Sequence, residues 1–300
     1  MQHYSAAQTA EHLPFASLVD ALAQAVQDYA DGSIICPERV VVGAPEGSGL
    51  LMAMPCAGPD LLATKLLTIC PDNAGTHRPT IQGQVICADA RNGELLFSLD
   101  GPTVTMRRTA GISLLGIRLL ARTPPKKFLI IGTGVQAGAH CAALASLHPT
   151  ATVFIRGRTP ERAMEFCERH KALPLDLRPA APQDKHFDVI ITATASKHIL
   201  YDECPDPSCL IIGVGAFRPD MIEIGPRIVH ASRLYVDDPI GAPSEAGDLI
   251  QAGVEWHSVY PLASALQTMP PTGEAIFFKS VGCAAWDLAA CRVVQHNNLT

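Results

Sequence analysis

Apolar positions follow helical spacing at the start of the chain, then alternate, then gather into short runs. Leu18, Leu22, Val26 and Tyr29 stand at helical spacing within 13–29, and Asp31-Gly32 closes that helix. Strands are predicted over 39–42, 49–54, 61–70, 81–88 and 94–99. Pro45 to Gly49 turns the first pair. Arg91-Asn92-Gly93 turns the last, because Asn-Gly tolerates positive φ at both positions. The first hundred residues thus read as a largely antiparallel β layer with helices. Over 103–121, Thr109, Ala110, Ser113, Leu114, Ile117 and Leu120 suit a long helix, which Pro124-Pro125 ends. From Lys126 strands and helices alternate. Strands are expected at 128–131, 152–155, 189–193, 210–214 and 234–236, with helices at 139–147 and 160–170. That order predicts an α/β fold with a Rossmann-type, doubly wound parallel sheet. A strand at 275–279 and a helix at 282–294 follow, and the helix is expected to return to the first domain. Residues 71–79 form a polar loop.

One turn carries most of the chemical information. The run Phe128 to Ile131 leads into Gly132-Thr133-Gly134-Val135-Gln136-Ala137 and then a helix rich in Ala and Leu. Strand, G-x-G-x-x-A and helix together mean dinucleotide binding, where the motif alone would be weak. Gly132 permits the turn, Gly134 lets a pyrophosphate reach the backbone, and Ala137 lets helix and strand pack closely. At the end of the next strand, an NAD site usually places a carboxylate for the ribose hydroxyls. Here Arg156, Arg158 and Thr159 occupy that place. Guanidinium groups match a 2′-phosphate, so NADPH is expected, with NADH possible. Glu161 is assigned to the first turn of the following helix, where the dipole favours it.

Composition narrows the class. The chain has 300 residues, of which 48% are hydrophobic and 17% charged, enough for two domains with a sizeable core. A net charge of -6 argues against nucleic acid as a partner. No apolar run reaches the ~20 residues that cross a bilayer, and no secretion signal is recognised at Met1 to Glu11. Ten cysteines are scattered without a C-x-x-C pair, which reads as core thiols in a reducing cytoplasm, with no metal site.

Cations are scarce before Pro124. Arg39 and Lys65 lie in or beside apolar runs, and Arg107-Arg108 in the long helix, with Arg107 expected to face solvent. A buried cation needs a partner. An anionic substrate such as a carboxylate would serve, and so would a structural salt bridge; taken singly, these residues leave both readings open.

In order and spacing, Pro37-Glu-Arg39, Met54-Pro55, Lys65, Pro71-Asp-Asn73, Asp100-Gly101, Arg108-Thr-Ala110, the glycine turn, Arg158-Thr159, Thr192-Ala193-Thr194, Gly215 with Arg218-Pro219, Gly247-Asp248-Leu249 and Lys279-Ser-Val-Gly282 match a known pattern. Over nearly its whole length the chain resembles the ornithine cyclodeaminase/μ-crystallin family. The resemblance implies a homodimer of two-domain subunits. Residues 1–122 with 279–300 would form the substrate-binding and dimerisation domain, and 123–278 the dinucleotide domain. It implies that Arg39, Lys65 and Arg108 hold a substrate carboxylate, with Thr80 as a further contact. It also places Thr192, Ala193, Thr194, Val214 and Gly215 beside the cofactor.

One departure matters. Cyclodeaminases carry an aspartate on the loop that here reads Gly213-Val-Gly-Ala-Phe-Arg-Pro-Asp220, and the aligned position is Phe217. A phenyl ring takes no proton and pairs with no ammonium. This variant looks like the ketimine-reductase branch, which implies reduction of Δ1-pyrroline-2-carboxylate or Δ1-piperideine-2-carboxylate to L-proline or L-pipecolate. Lys65 would be either a third carboxylate contact or the proton source, and water is an equal candidate for the donor. The rival readings are an ornithine cyclodeaminase or amino-acid dehydrogenase using NAD, and a non-enzymatic NADPH-binding protein.

Overall fold

The computed structural model describes residues 1–299. Its first elements are β1 (Gln2–His3), α1 (Ala6–Glu11), α2 (Phe15–Ala30), β2 (Val40–Gly43), β3 (Leu50–Ala57), β4 (Leu61–Ile69), β5 (Ile81–Asp89), β6 (Leu95–Asp100) and α3 (Gly101–Leu120). Then come β7 (Lys127–Ile131), α4 (Val135–Leu147), β8 (Thr152–Arg156), α5 (Pro160–Arg169), β9 (Asp176–Pro179), β10 (Val189–Thr192), β11 (Lys197–Tyr201) and β12 (Leu210–Gly213). The chain ends with β13 (Ile222–Ile224), α6 (Pro226–Ala231), β14 (Ser232–Val236), α7 (Ala242–Glu245), α8 (Gly247–Ala252), β15 (Tyr260–Pro261), α9 (Ser264–Gln267), β16 (Ala275–Lys279) and α10 (Ala284–Leu299). Two compact units emerge, one formed by Met1–Arg108 with the stretch from Cys283 onward, the other by Thr109–Gly282. The first division falls inside α3 rather than after residue 122, because Ser113 and Gly116 of that helix pack on His140 and Phe278 of the second unit. The second lies beyond Lys279, which pairs in the parallel sheet with Gly213 and Val236.

In the first unit a six-stranded sheet runs β1-β6-β5-β4-β3-β2, antiparallel except for β1 beside β6. Alternation along β4 sends Leu61, Ala63, Lys65 and Leu67 to the buried face, and leaves Leu62 and Leu66 on the other. α10 covers the buried face, packing on β4, β3 and α2. Its Trp286 is fully buried, edge-on to Tyr29. Arg292, on the same helix, ties Asp28 to Asp60. The outer face carries Val40, Val42, Leu51, Leu62 and Leu66, all well exposed and joined by cross-strand register.

The second unit holds an eight-stranded parallel sheet in the order β15-β14-β16-β12-β10-β7-β8-β9. β10 and β12 are buried along their length and β7 from Phe128 onward, as strands covered on both faces must be. The chain runs outward from β7 through β8 to β9 and then returns to the other side of β7 at β10. That reversal is the switch point where ligands bind in such sheets, outside the carboxyl ends of the strands. Register brings Ile131, Thr192, Gly213, Lys279 and Val236 level along this edge.

Several expectations change in detail. The hairpin after β5 is not a two-residue turn with two positive φ angles. Gly93 alone is left-handed, and its N–H reaches Asp89 O, closing a four-residue loop. Asp89 and Asn92 side chains satisfy the loop by accepting from Arg91 N and Glu94 N. The last helix spans Ala284–Leu299 rather than 282–294. Arg107 is half-buried, with its guanidinium over the Phe15 ring and Nε donating to Leu13 O. β9, β11, β13 and β15 had no sequence counterpart, since short, partly polar strands lack a clear period.

Candidate functional site

In the second unit the glycine turn lies at the switch point. Gly132 has φ +137°, and a Cβ there would come within 2.6 Å of Ala193 O, so glycine is required by both backbone angle and space. Gly134 occupies the N-cap of α4, no side chain caps that helix, and a Cβ at Gly134 would meet only open space. Thr133 and Gln136 are half-buried, Val135 is exposed, and Ala137 is fully buried where the helix meets the sheet. A bare helix N-terminus under open space offers N–H groups and a favourable dipole to phosphate. These residues fit a dinucleotide. At the end of β8, Arg156 is half-buried and Arg158 exposed. Thr159 caps α5 by accepting from Arg162 N, and its hydroxyl holds the Glu161 carboxyl below its usual range. Glu161 sits in the first turn, as expected.

The ends of β10 and β12 flank the turn. Thr192, Ala193, Val214 and Gly215 are buried and Thr194 half-buried. Phe217 is 44% exposed and its N–H donates to Gly215 O. Asp220 does not replace the missing aspartate, because it pairs with Lys197 (2.7 Å) and Arg218 (3.1 Å) at the surface.

In the first unit Lys65 and Arg108 converge on one carboxylate. Lys65 Nζ lies 2.9 Å from Asp287 Oδ2, and Arg108 Nε 3.4 Å from Oδ1. All three are buried. Burial lowers the Lys65 pKa to about 8; Asp287 opposes this, while the charges of Arg108 and Arg39 add to it. Arg39, half-buried just before β2, therefore acts electrostatically on the same spot. Thr80 is not gathered into this cluster. Its carbonyl accepts from Cys70 N, five positions along β4 from Lys65, or about 16 Å at strand spacing. Asp287 was missed by sequence reasoning. The available signal was a lone carboxylate inside the apolar stretch Ala284-Ala-Trp-Asp-Leu-Ala-Ala290, which implies a buried cationic partner.

Known proteins resemble this chain. The ornithine cyclodeaminase/mu-crystallin family matches residues 2–300. A Δ1-pyrroline-2-carboxylate/Δ1-piperideine-2-carboxylate reductase of Azospirillum brasilense is 46% identical, covering 97% of this chain and 94% of the relative. The mouse ketimine reductase mu-crystallin is 32% identical, over 97% of this chain and 95% of the relative. Among solved structures, a Thermococcus litoralis Δ1-pyrroline-2-carboxylate reductase with NADH and L-proline shares the fold, with TM-score 0.88 at 22% identity, covering 100% of this chain and 98% of that one. An archaeal alanine dehydrogenase dimer with bound NAD gives TM-score 0.86 at 22% identity, over 99% and 95% of the two chains. With a glycine turn at the switch point of the second unit and two buried cations on one carboxylate in the first, this chain belongs to the ornithine cyclodeaminase/mu-crystallin family.

Proposed function

We propose that this protein reduces small cyclic imino acids, Δ1-pyrroline-2-carboxylate and Δ1-piperideine-2-carboxylate, to L-proline and L-pipecolate. The observation that carries this reading is the buried first-unit cluster, in which Lys65 and Arg108 share the single carboxylate of Asp287 under the field of Arg39. Such a positive excess suits a substrate carboxylate. The 46% identity to a reductase of these imines supports the choice of substrate class. Phe217 supports it further, since an unsaturated ring without a free amine asks for no base there.

Arg39 and Arg108 clasp the carboxylate and orient the ring, an effect that can lower the barrier by ~7–11 kcal/mol at best. When bound, the dinucleotide supplies the hydride that adds to the imine carbon. Lys65 supplies the proton that the ring nitrogen takes as C=N becomes CH–NH. With a pKa of about 8, it is protonated at neutral pH yet ready to give up the proton. The test is dinucleotide oxidation with each imine, with ornithine and pyruvate plus amine as controls; turnover of ornithine with ammonia release would overturn the reading.

Arg156 and Arg158 favour NADPH over NADH. Replacing both by alanine is expected to raise the NADPH KM about 10- to 100-fold, the worth of one lost charged hydrogen bond, while the NADH KM changes little. Unchanged NADPH kinetics would remove the arginines from recognition.

The exposed apolar face of β2, β3 and β4 is the homodimer surface, in a cytoplasmic protein. No helix among the described residues is long and apolar enough to cross a membrane. Leu62→Glu with Leu66→Glu is expected to give monomers by light scattering; a persistent dimer would place the contact elsewhere.

A further inference from the structure

Three loops at the carboxyl edge of the parallel sheet are interlocked. The glycine turn presses Gly132 against Ala193 O. On the other side, a Cβ at Gly215 would come within 1.9 Å of Thr194 O, so the segments after β10 and β12 touch backbone to backbone. Their hydrogen bonds converge on one buried side chain. Glu223 Oε1 accepts from Thr194 N and Thr194 Oγ1, both at 2.7 Å, and Oε2 from Thr192 Oγ1 (2.9 Å) and Gly215 N (2.7 Å). The carboxylate is itself anchored from behind. Asp248 Oδ1 accepts from Glu223 N (2.6 Å) and Ile224 N (2.9 Å), and Asp248 Oδ2 lies 3.2 Å from Lys279 Nζ. Glu223, Asp248 and Lys279 are all fully buried. Burial raises the Glu223 pKa and Lys279 opposes the rise.

A buried carboxylate is costly unless its oxygens are satisfied. Four donors satisfy this one, and all come from the last residue of β10 and the two loops beside the glycine turn. Hydrophobic packing could hold the strands together without it. What the carboxylate adds is a fixed distance between the two loop backbones.

We infer that Glu223 is a positioning residue for the reduction: it ties the end of β10 to the end of β12 and so sets the floor for the nicotinamide half of the dinucleotide. The inference rests on the dinucleotide reading above. The adenosine half belongs to the glycine turn and the end of β8, which Glu223 does not touch, and this separation makes the proposal testable.

The experiment is calorimetric binding of NADPH and of adenosine 2′,5′-bisphosphate to the wild-type protein and to Glu223→Gln, without imine. The amide keeps the side chain's shape but turns a donor toward a backbone N–H. NADPH is expected to bind about tenfold or more weaker, the worth of one charged hydrogen bond, with the adenosine bisphosphate unchanged. Equal weakening of both, or of neither, would overturn the positioning role. Failure of the wild-type protein to bind NADPH, the adenosine bisphosphate and NADH alike would instead refute the dinucleotide reading. Should Glu223→Gln not fold, Thr192→Val removes one of the four donors at constant volume. It is expected to give the same selective loss at several-fold size, and an unaltered NADPH affinity there would count against the proposal.

Discussion

Lys65→Met is expected to lower kcat for imine reduction about 10²- to 10⁴-fold at saturating NADPH, the usual worth of a positioned proton donor. NADPH affinity, measured by calorimetry, should not change. Methionine keeps the length and apolar body of the side chain and removes only its donors and charge. In the wild-type protein Lys65 titrates at about 8, so kcat/KM should fall as pH rises through that value, and the fall should vanish in the variant. Wild-type turnover in Lys65→Met would remove the residue from the mechanism.

The variant also strands Asp287 with Arg108 as its remaining ion-pair partner. Breaking a buried pair costs roughly 3–5 kcal/mol, so a lower Tm is expected. Adding Asp287→Asn should lower the Tm further, because it leaves the buried Arg108 guanidinium without its carboxylate. On stability the sign is different. The folded protein holds the Lys65 proton less tightly than the unfolded chain, whose lysine titrates near 10.5. The penalty is therefore complete below about 8 and is relieved as pH rises from there toward 10.5.

Arg108→Leu is expected to cost about 2–5 kcal/mol in kcat/KM, roughly 30- to 5,000-fold, as when one member of a buried charge pair is removed. The loss should appear mainly as a higher KM for the imine, because the guanidinium holds the carboxylate in ground and transition states alike. Arg108→Lys should recover little, since a single ammonium cannot reproduce a planar fork. An unchanged imine KM in Arg108→Leu would assign Arg108 to the structural pair with Asp287 alone.

The second unit was largely legible from sequence, and the reason is local. A buried parallel strand must be a continuous apolar run, and a tight strand-to-helix turn needs glycine where φ is positive. Phe128 to Ile131 and Gly132 obey both rules, so their roles follow from neighbours in the chain. Lys65 was legible for a related reason, as a cation in an apolar strand. Arg107 was read less well. Its covering by Phe15 and Leu13 comes from the start of α2 and the residues just before it, far back in the sequence.

The carboxylates were not legible in their roles. Asp287 reads as one charge in an apolar helix, and Glu223 as one charge between two isoleucines. Nothing near either residue names a partner. Lys65 and Arg108 reach Asp287 only because α10 packs on β4. Thr192, Thr194 and Gly215 reach Glu223 only because β10 and β12 lie side by side. By itself, then, the sequence determined the longer elements, the parallel sheet, the glycine turn and the family, all of which rest on period and spacing along the chain. Tertiary structure decided which charges meet, because desolvation makes a buried ion seek a counter-ion or a cage of donors wherever folding brings one.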